Sequence, residues 1–128
     1  MAGLPESAPN LGEARFYQGG TPPLTEAGYL ILLALAGGAT HGYRIMQTIN
    51  DVFRTDLRIG PGTLYRTLQR LTADGMIEAV EASGDEEGDA ERRRAYRLTA
   101  DGLTAARGET RRLEVLVRLA KAQLPGAR

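Results

Sequence analysis

The chain has 128 residues, 42% of them hydrophobic and 25% charged, which suits one globular domain with a single modest core. It has no cysteine and one histidine, so disulfides, thiolate metal sites and multi-histidine metal sites are excluded and no cofactor is expected. Sixteen basic residues balance sixteen acidic ones to a formal net charge of zero, which argues against a protein that grips polyanions by overall charge.

Residues 1–23 hold Pro5, Pro9, Pro22, Pro23 and four glycines, and read as a flexible N-terminal arm. They lack the charged start and apolar centre of a signal peptide. The first helix runs from Thr25 to Ala36, with Thr25 as N-cap and Glu26 in the first turn. Its run Tyr29–Ala36 is apolar nearly all round, which predicts burial on most sides; it is far too short to cross a membrane. With no membrane or export signal, a cytoplasmic location is expected. Gly37 and Gly38 end the helix.

Thr40 is placed to cap a second helix running to about Phe53. Ile45, Ile49, Val52 and Phe53 form its apolar side, with Arg44, Gln47 and Asn50 opposite. Residues 54–59 make a connecting turn. Gly60-Pro61-Gly62 opens a third helix, where proline is well placed because its missing N–H is not needed in a first turn. Leu64, Leu68 and Leu71 step along one face, and Gly75 closes the helix.

Two short strands follow, over 76–82 and 94–98, around the Gly-rich, acidic stretch 83–92. Three helices and then a β-hairpin is the order of a winged helix-turn-helix domain. The expected fold class is mainly α with a small β-hairpin, with that domain over 24–98. Thr99 caps a final helix over 99–128. In it Leu103, Thr110, Val117 and Leu124 are spaced by seven, and Ala106, Leu113 and Ala120 repeat at the same interval three residues on. This is a two-position seam over three heptads. With Leu116 and Leu119 it presents more apolar surface than one small core needs, which predicts self-association into a homodimer. The alternative is that the helix packs back on its own domain.

Three segments, Leu30–Ile49, Gly60–Glu78 and Arg92–Gly102, stand in an order and spacing that resembles the PadR family of transcription regulators. They include the His41-Gly42-Tyr43 helix start, the Pro61-Gly62-Thr63-Leu64-Tyr65-Arg66 helix opening, and Leu98-Thr99 followed by Gly102. The resemblance covers roughly residues 24–104. It implies a dimer with an N-terminal winged helix-turn-helix and a C-terminal dimerisation helix. It also implies repression of nearby genes relieved by a small aromatic effector. Members that hold flat drugs often use a tryptophan at the dimer interface, and this sequence has none.

In a helix-turn-helix the start of the recognition helix faces the base edges of double-stranded DNA. That assigns Gly62, Thr63, Tyr65, Arg66 and Gln69 to the groove. Arg66 suits guanine and Gln69 suits adenine, while Gly62 lets the backbone approach closely. His41, Tyr43 and Arg44, at the start of the second helix, are phosphate-contact candidates. Arg92, Arg93 and Arg94 are candidates at the base of the wing. The tip itself carries Asp85, Glu86, Glu87, Asp89 and Glu91, whose charge repels phosphate.

Plainer roles stand beside these. His41 is equally suited to a structural helix start, and Arg92–Arg94 to neutralising the acidic loop. Arg58 and Arg70 can pair with Asp56 and Asp74. An effector cleft would be lined by Phe16, Tyr17, Tyr29, Leu113 and Leu116. The zero net charge and acidic hairpin keep open a winged-helix module that binds protein rather than DNA. No nucleophile elbow, phosphate loop or metal cluster points to an enzyme.

Overall fold

The computed structural model describes residues 24–80 and 94–127. The arm at 1–23 and the acidic stretch from Asp85 to Glu91 lie outside them, as do Phe16, Tyr17, Arg92 and Arg93.

Helix α1 spans Glu26–Leu35, and the Thr25 side chain accepts a hydrogen bond from the Gly28 amide at 3.0 Å. Leu30, Ile31, Leu32 and Leu35 are buried, so the helix is the centre of the core. A short strand β1 follows at Thr40–His41, and helix α2 begins directly after it at Gly42–Gln47. Thr40 is therefore a strand residue and not the helix cap. His41 occupies the cap position without a side-chain hydrogen bond.

From Thr48 to Phe53 the helix continues as a π-helix and ends at Arg54 in the left-handed conformation (φ 57°, ψ 41°). The wide turn advances less per residue than an α-helix does. Four residues after the buried Ile49, Phe53 still reaches the core, whereas Val52, three residues on, is 69% exposed. The regular helical reading of 40–53 had placed Val52 inside, and the π turn corrects it.

Helix α3 spans Pro61–Ala73, with Pro61 in the first turn. Leu64, Leu68 and Leu71 are at most 3% exposed; truncating any of them to alanine costs about 2–5 kcal/mol in comparable cores. The helix ends in a Schellman motif. Gly75, with φ 78°, donates to the Thr72 carbonyl at 3.0 Å, and Met76 donates to the Leu71 carbonyl at 3.0 Å.

Strands β2 (Ile77–Val80) and β3 (Ala95–Leu98) each begin one residue later than expected, residues 81 and 82 of the first lying outside the described residues, and they are joined by a third strand. The sheet order is β1-β3-β2, antiparallel throughout, with Thr40 opposite Tyr96, His41 opposite Ala95 and Glu78 opposite Arg97. Arg97 donates to Glu78 Oε2 at 2.9 Å from Nε and 2.6 Å from Nη2. It belongs to this exposed cross-strand pair, not to a free basic cluster.

The last helix, α4, spans Ala100–Gln123. Thr99 caps it by accepting from the Gly102 amide at 3.0 Å, and its hydroxyl donates to the Gly75 carbonyl at 2.6 Å. The start of α4 is thereby tied to the end of α3. The first half of α4 packs on its own domain, with Ala105 and Ala106 in the core. Tyr29 and Thr110 are joined at 2.6 Å, and since Thr110 donates to the Ala106 carbonyl at 2.8 Å, Tyr29 is the donor. Buried Glu109 is ion-paired with Arg112.

The close crossing at Gly102 explains why that position takes glycine. A Cβ there would lie 2.0 Å from the Met76 carbonyl oxygen, and backbone cannot yield as a flexible side chain does. Gly102→Ala is expected to destabilise the fold by at least about 1–3 kcal/mol, the usual range for overpacking. Thermal unfolding measures it, and an unchanged Tm would show that the crossing is looser than described.

Candidate nucleic-acid interface

Burying one face of α3 dictates what the other presents. Gly62, Arg66, Gln69 and Ala73 recur at helical spacing opposite the leucines, and all are exposed. Thr63 and Arg70 flank this row on one side and Tyr65 on the other. A Cβ built on Gly62 would meet no atom within 4 Å beyond its chain neighbours and its own helix backbone, so the position is open to close approach. The row carries no carboxylate. Arg66, Gln69 and Thr63 offer hydrogen-bond donors toward solvent, in a pattern suited to base edges and phosphates.

Tyr65 is half-buried and packs against the core as well as lying at the rim of this row. Its ring lies across the start of α2: a Cβ on Gly42 would sit 3.1 Å from Tyr65 Cε1 and 3.5 Å from Leu68 Cδ1. A side chain at the glycine of the His41-Gly42-Tyr43 motif would therefore press on the tyrosine of the Thr63-Leu64-Tyr65 motif, whose ring would have to give by a few tenths of an ångström. The Gly42 amide also donates to the Arg94 carbonyl at 3.3 Å. Strand pairing between β1 and β3 places His41 opposite Ala95. The backbones of His41 in β1 and Arg94 at the base of the wing and the Tyr65 ring from α3 therefore meet around Gly42, the first residue of α2. Tyr43 and Arg44 are exposed on α2 beside it.

Other expected placements differ. Arg58 pairs with Asp51 at 3.9 Å, not Asp56, and donates to the Asn50 carbonyl at 3.1 Å. Among the described residues Arg70 and Asp74 form no ion pair. Asn50, expected on the solvent side of the second helix, turns inward. Its Nδ2 donates to the Ile59 carbonyl at 2.9 Å, and its Oδ1 accepts from the Ile59 amide at 2.9 Å. Only the π turn and the left-handed Arg54 bring these residues together, and nothing in residue spacing announced that.

The heptad seam of the last helix divides. Ala106 is buried in its own domain, whereas Thr110 is half-buried and hydrogen-bonded within the chain. Leu103 is 37% exposed; Leu116, Val117 and Leu124 are 45–57% exposed, as are Val115 and Leu119. Leu113 and Ala120 are half-buried.

An open groove of about 600 Å3 runs along this half of the helix, lined by Tyr29, Thr110, Leu113, Glu114, Val117, Arg118 and Lys121. It includes Tyr29 and Leu113 of the expected effector cleft but not Leu116. Among the described residues no helix is long and apolar enough to cross a membrane, and no cluster of three potential metal ligands occurs.

Comparison with known proteins agrees with this arrangement. The profile of the transcriptional regulator PadR-like family matches residues 31–107. The chain belongs to the PadR-like family. It is therefore a member of a family of transcription regulators and not an enzyme. Transcriptional regulator Rv3488 of Mycobacterium tuberculosis is 39% identical over 88 residues, covering 69% of this PadR-like chain and 76% of that protein. A 37.1 kDa protein of transposon Tn4556 from Streptomyces fradiae is 39% identical over 77 residues, and the match spans 60% of this chain but 20% of that protein.

Among solved structures, a PadR family transcription regulator from Clostridium difficile superposes with a TM-score of 0.66 at 21% identity, covering 78% of this chain and 99% of that one. Bacillus subtilis PadR, solved in complex with operator DNA, superposes with a TM-score of 0.53 at 23% identity over 63% of this chain and 44% of that one. Both share the fold. The match over 31–107 takes in nearly all of the three sequence segments that resemble the family.

Proposed function

We propose that this PadR-like protein binds double-stranded DNA in a sequence-specific manner. The observation that carries the reading is the exposed, carboxylate-free row Gly62–Arg66–Gln69 on α3, with Tyr65 at its rim. A helix presented this way enters the major groove with its N-terminal turns against base edges. Arg44 and Tyr43 then lie at phosphate level. The solved operator complex of the Bacillus relative supports the reading by analogy of fold.

Selection from a random duplex library with the purified protein tests it. Binding to the recovered duplex weakens steeply as salt rises, as counterion release requires. Arg66→Ala costs about 1–3 kcal/mol and relaxes preference at one base pair. Salt-insensitive or unselective binding would favour the protein-interaction module that zero net charge also fits.

The protein acts in this reading as a homodimer on a palindromic operator, as a repressor, in the cytoplasm. The uncovered apolar residues of α4, Leu116, Val117, Leu119 and Leu124, support the dimer, because a contiguous exposed patch of this kind marks an interaction surface. Leu116→Glu and Val117→Glu change exposed positions and leave the monomer folded. Each is expected to shift sedimentation from dimer to monomer and to abolish tight binding to a two-half-site duplex with centres roughly 34 Å apart. A wild-type protein that sediments as a monomer while binding that duplex would refute the dimer.

A small aromatic effector that relieves repression fits the α4 groove, where the Tyr29 ring and Leu113 supply apolar walls and Arg118 and Lys121 supply charge. An aromatic carboxylate series is expected to raise the Tm and release DNA. A panel that does neither removes the effector.

A further inference from the structure

Helix α3 has an N-terminus that its own residues hold weakly. Its N-cap is Gly60, which makes no side-chain hydrogen bond, and Pro61 supplies no amide. A glycine cap leaves the first amides of the helix without a side-chain acceptor, so nothing in the side chains of the cap fixes the residue at which the helix begins. Yet Gly62, directly after Pro61, begins the row that faces DNA in the reading above. Something outside the helix has to say where it starts.

The residue before Gly60 is Ile59, whose side chain is 5% exposed in the core. Its backbone is held at both polar atoms by one side chain, Asn50: Oδ1 accepts the Ile59 amide and Nδ2 donates to the Ile59 carbonyl, each at 2.9 Å. A carboxamide is the side-chain group that offers a donor and an acceptor in one plane at peptide spacing, so it substitutes for a β-strand neighbour. Aspartate lacks the donor and alanine lacks both.

Two further features orient the clamp. Asn50 stands within the π-helical turn Thr48–Phe53, and Arg54 ends that turn in the left-handed region. A non-glycine residue held there is uncommon and persists where the surrounding contacts demand it. Arg58 in turn donates to the Asn50 carbonyl at 3.1 Å. The end of the second helix and the start of the third are thus bound through one residue's side chain and main chain together.

We infer that Asn50 is a positioning residue for sequence reading: its two-point clamp on Ile59 sets the register at which the Gly62–Arg66–Gln69 row meets DNA. It touches no base itself and acts through the backbone that leads into α3. The inference rests on the DNA-binding reading of that row.

The test uses the full chain, the duplex recovered by random selection, and a shuffled duplex of the same composition. Asn50→Ala is expected to reduce the ratio of affinities for the two duplexes about tenfold. In an Arg66→Ala background the same change is expected to alter that ratio less than twofold, because the base contact it positions is already gone. A residue that merely stabilises the fold lowers the active fraction and weakens both duplexes equally, leaving the ratio intact. On the free protein, hydrogen exchange of the Ile59 amide is expected to quicken at least tenfold in Asn50→Ala.

Asn50→Asp keeps the shape and the acceptor and loses the donor to the Ile59 carbonyl. It provides the same comparison if the alanine variant does not fold, with a smaller loss of selectivity expected. An unchanged affinity ratio in a folded variant, or an Ile59 amide that exchanges freely in the parent, overturns the role of Asn50 alone. A parent that recovers no preferred duplex overturns the DNA reading and this role with it.

Discussion

The leucine face of α3 is the constraint on which the functional surface depends. Leu64, Leu68 and Leu71 are driven into the core against α1, and a helix buried on one side must show its other side to solvent. Which residues are shown follows from which are hidden. The exposed row of Gly62, Arg66 and Gln69 is the geometric complement of the leucines. A one-residue shift in that packing would turn a different row outward. This is why contacts that hold the helix in place, rather than those that would touch DNA, occupy so much of the motif sequence.

Three of the motif glycines illustrate the point, each through a different physical demand. At Gly42 a Cβ would lie 3.1 Å from the Tyr65 ring, tighter than ordinary contact, so glycine lets that ring lie close across the start of α2. Gly75 takes the left-handed conformation that closes α3 and turns the chain into β2. Gly102 lies against the Met76 carbonyl, and Thr99 beside it both caps α4 and holds the Gly75 carbonyl. Residues nearly sixty positions apart in the chain are thus parts of one device, which joins α2, α3, the wing and α4 at fixed distances. The family match over 31–107 runs across the whole of it.

Helix α4 serves two environments in succession. Its first half contributes Ala105 and Ala106 to the domain core, and its second half leaves Leu116, Val117, Leu119 and Leu124 uncovered. A single heptad pattern runs through both halves, because the same small and apolar residues suit packing against α1 and packing against another helix. Periodicity reports that a face is apolar and says nothing of what covers it. The Tyr29–Thr110 hydrogen bond marks the place where intrachain packing gives way to the open groove.

Local chemistry in the sequence determined much of this molecule by itself. Thr25 and Thr99 as caps, Pro61 in a first turn, the leucine stripe of α3 and the order of helices and strands were all legible, because each depends on neighbours within a few residues. So was the exposed row of α3, as the remainder of an amphipathic pattern. Tertiary structure alone decided the rest. The strand at Thr40–His41 has two residues and no pattern of its own; it exists because β3 pairs with it, and that pairing brings Arg94 beside Gly42. The π turn that expels Val52 and draws Asn50 onto Ile59 arises where the second helix must meet the start of the third. Ala106 turned from the interhelical seam into the domain core because α1 packs against that part of α4. In each case the deciding partner lies on another element, beyond the few residues that a periodic pattern compares.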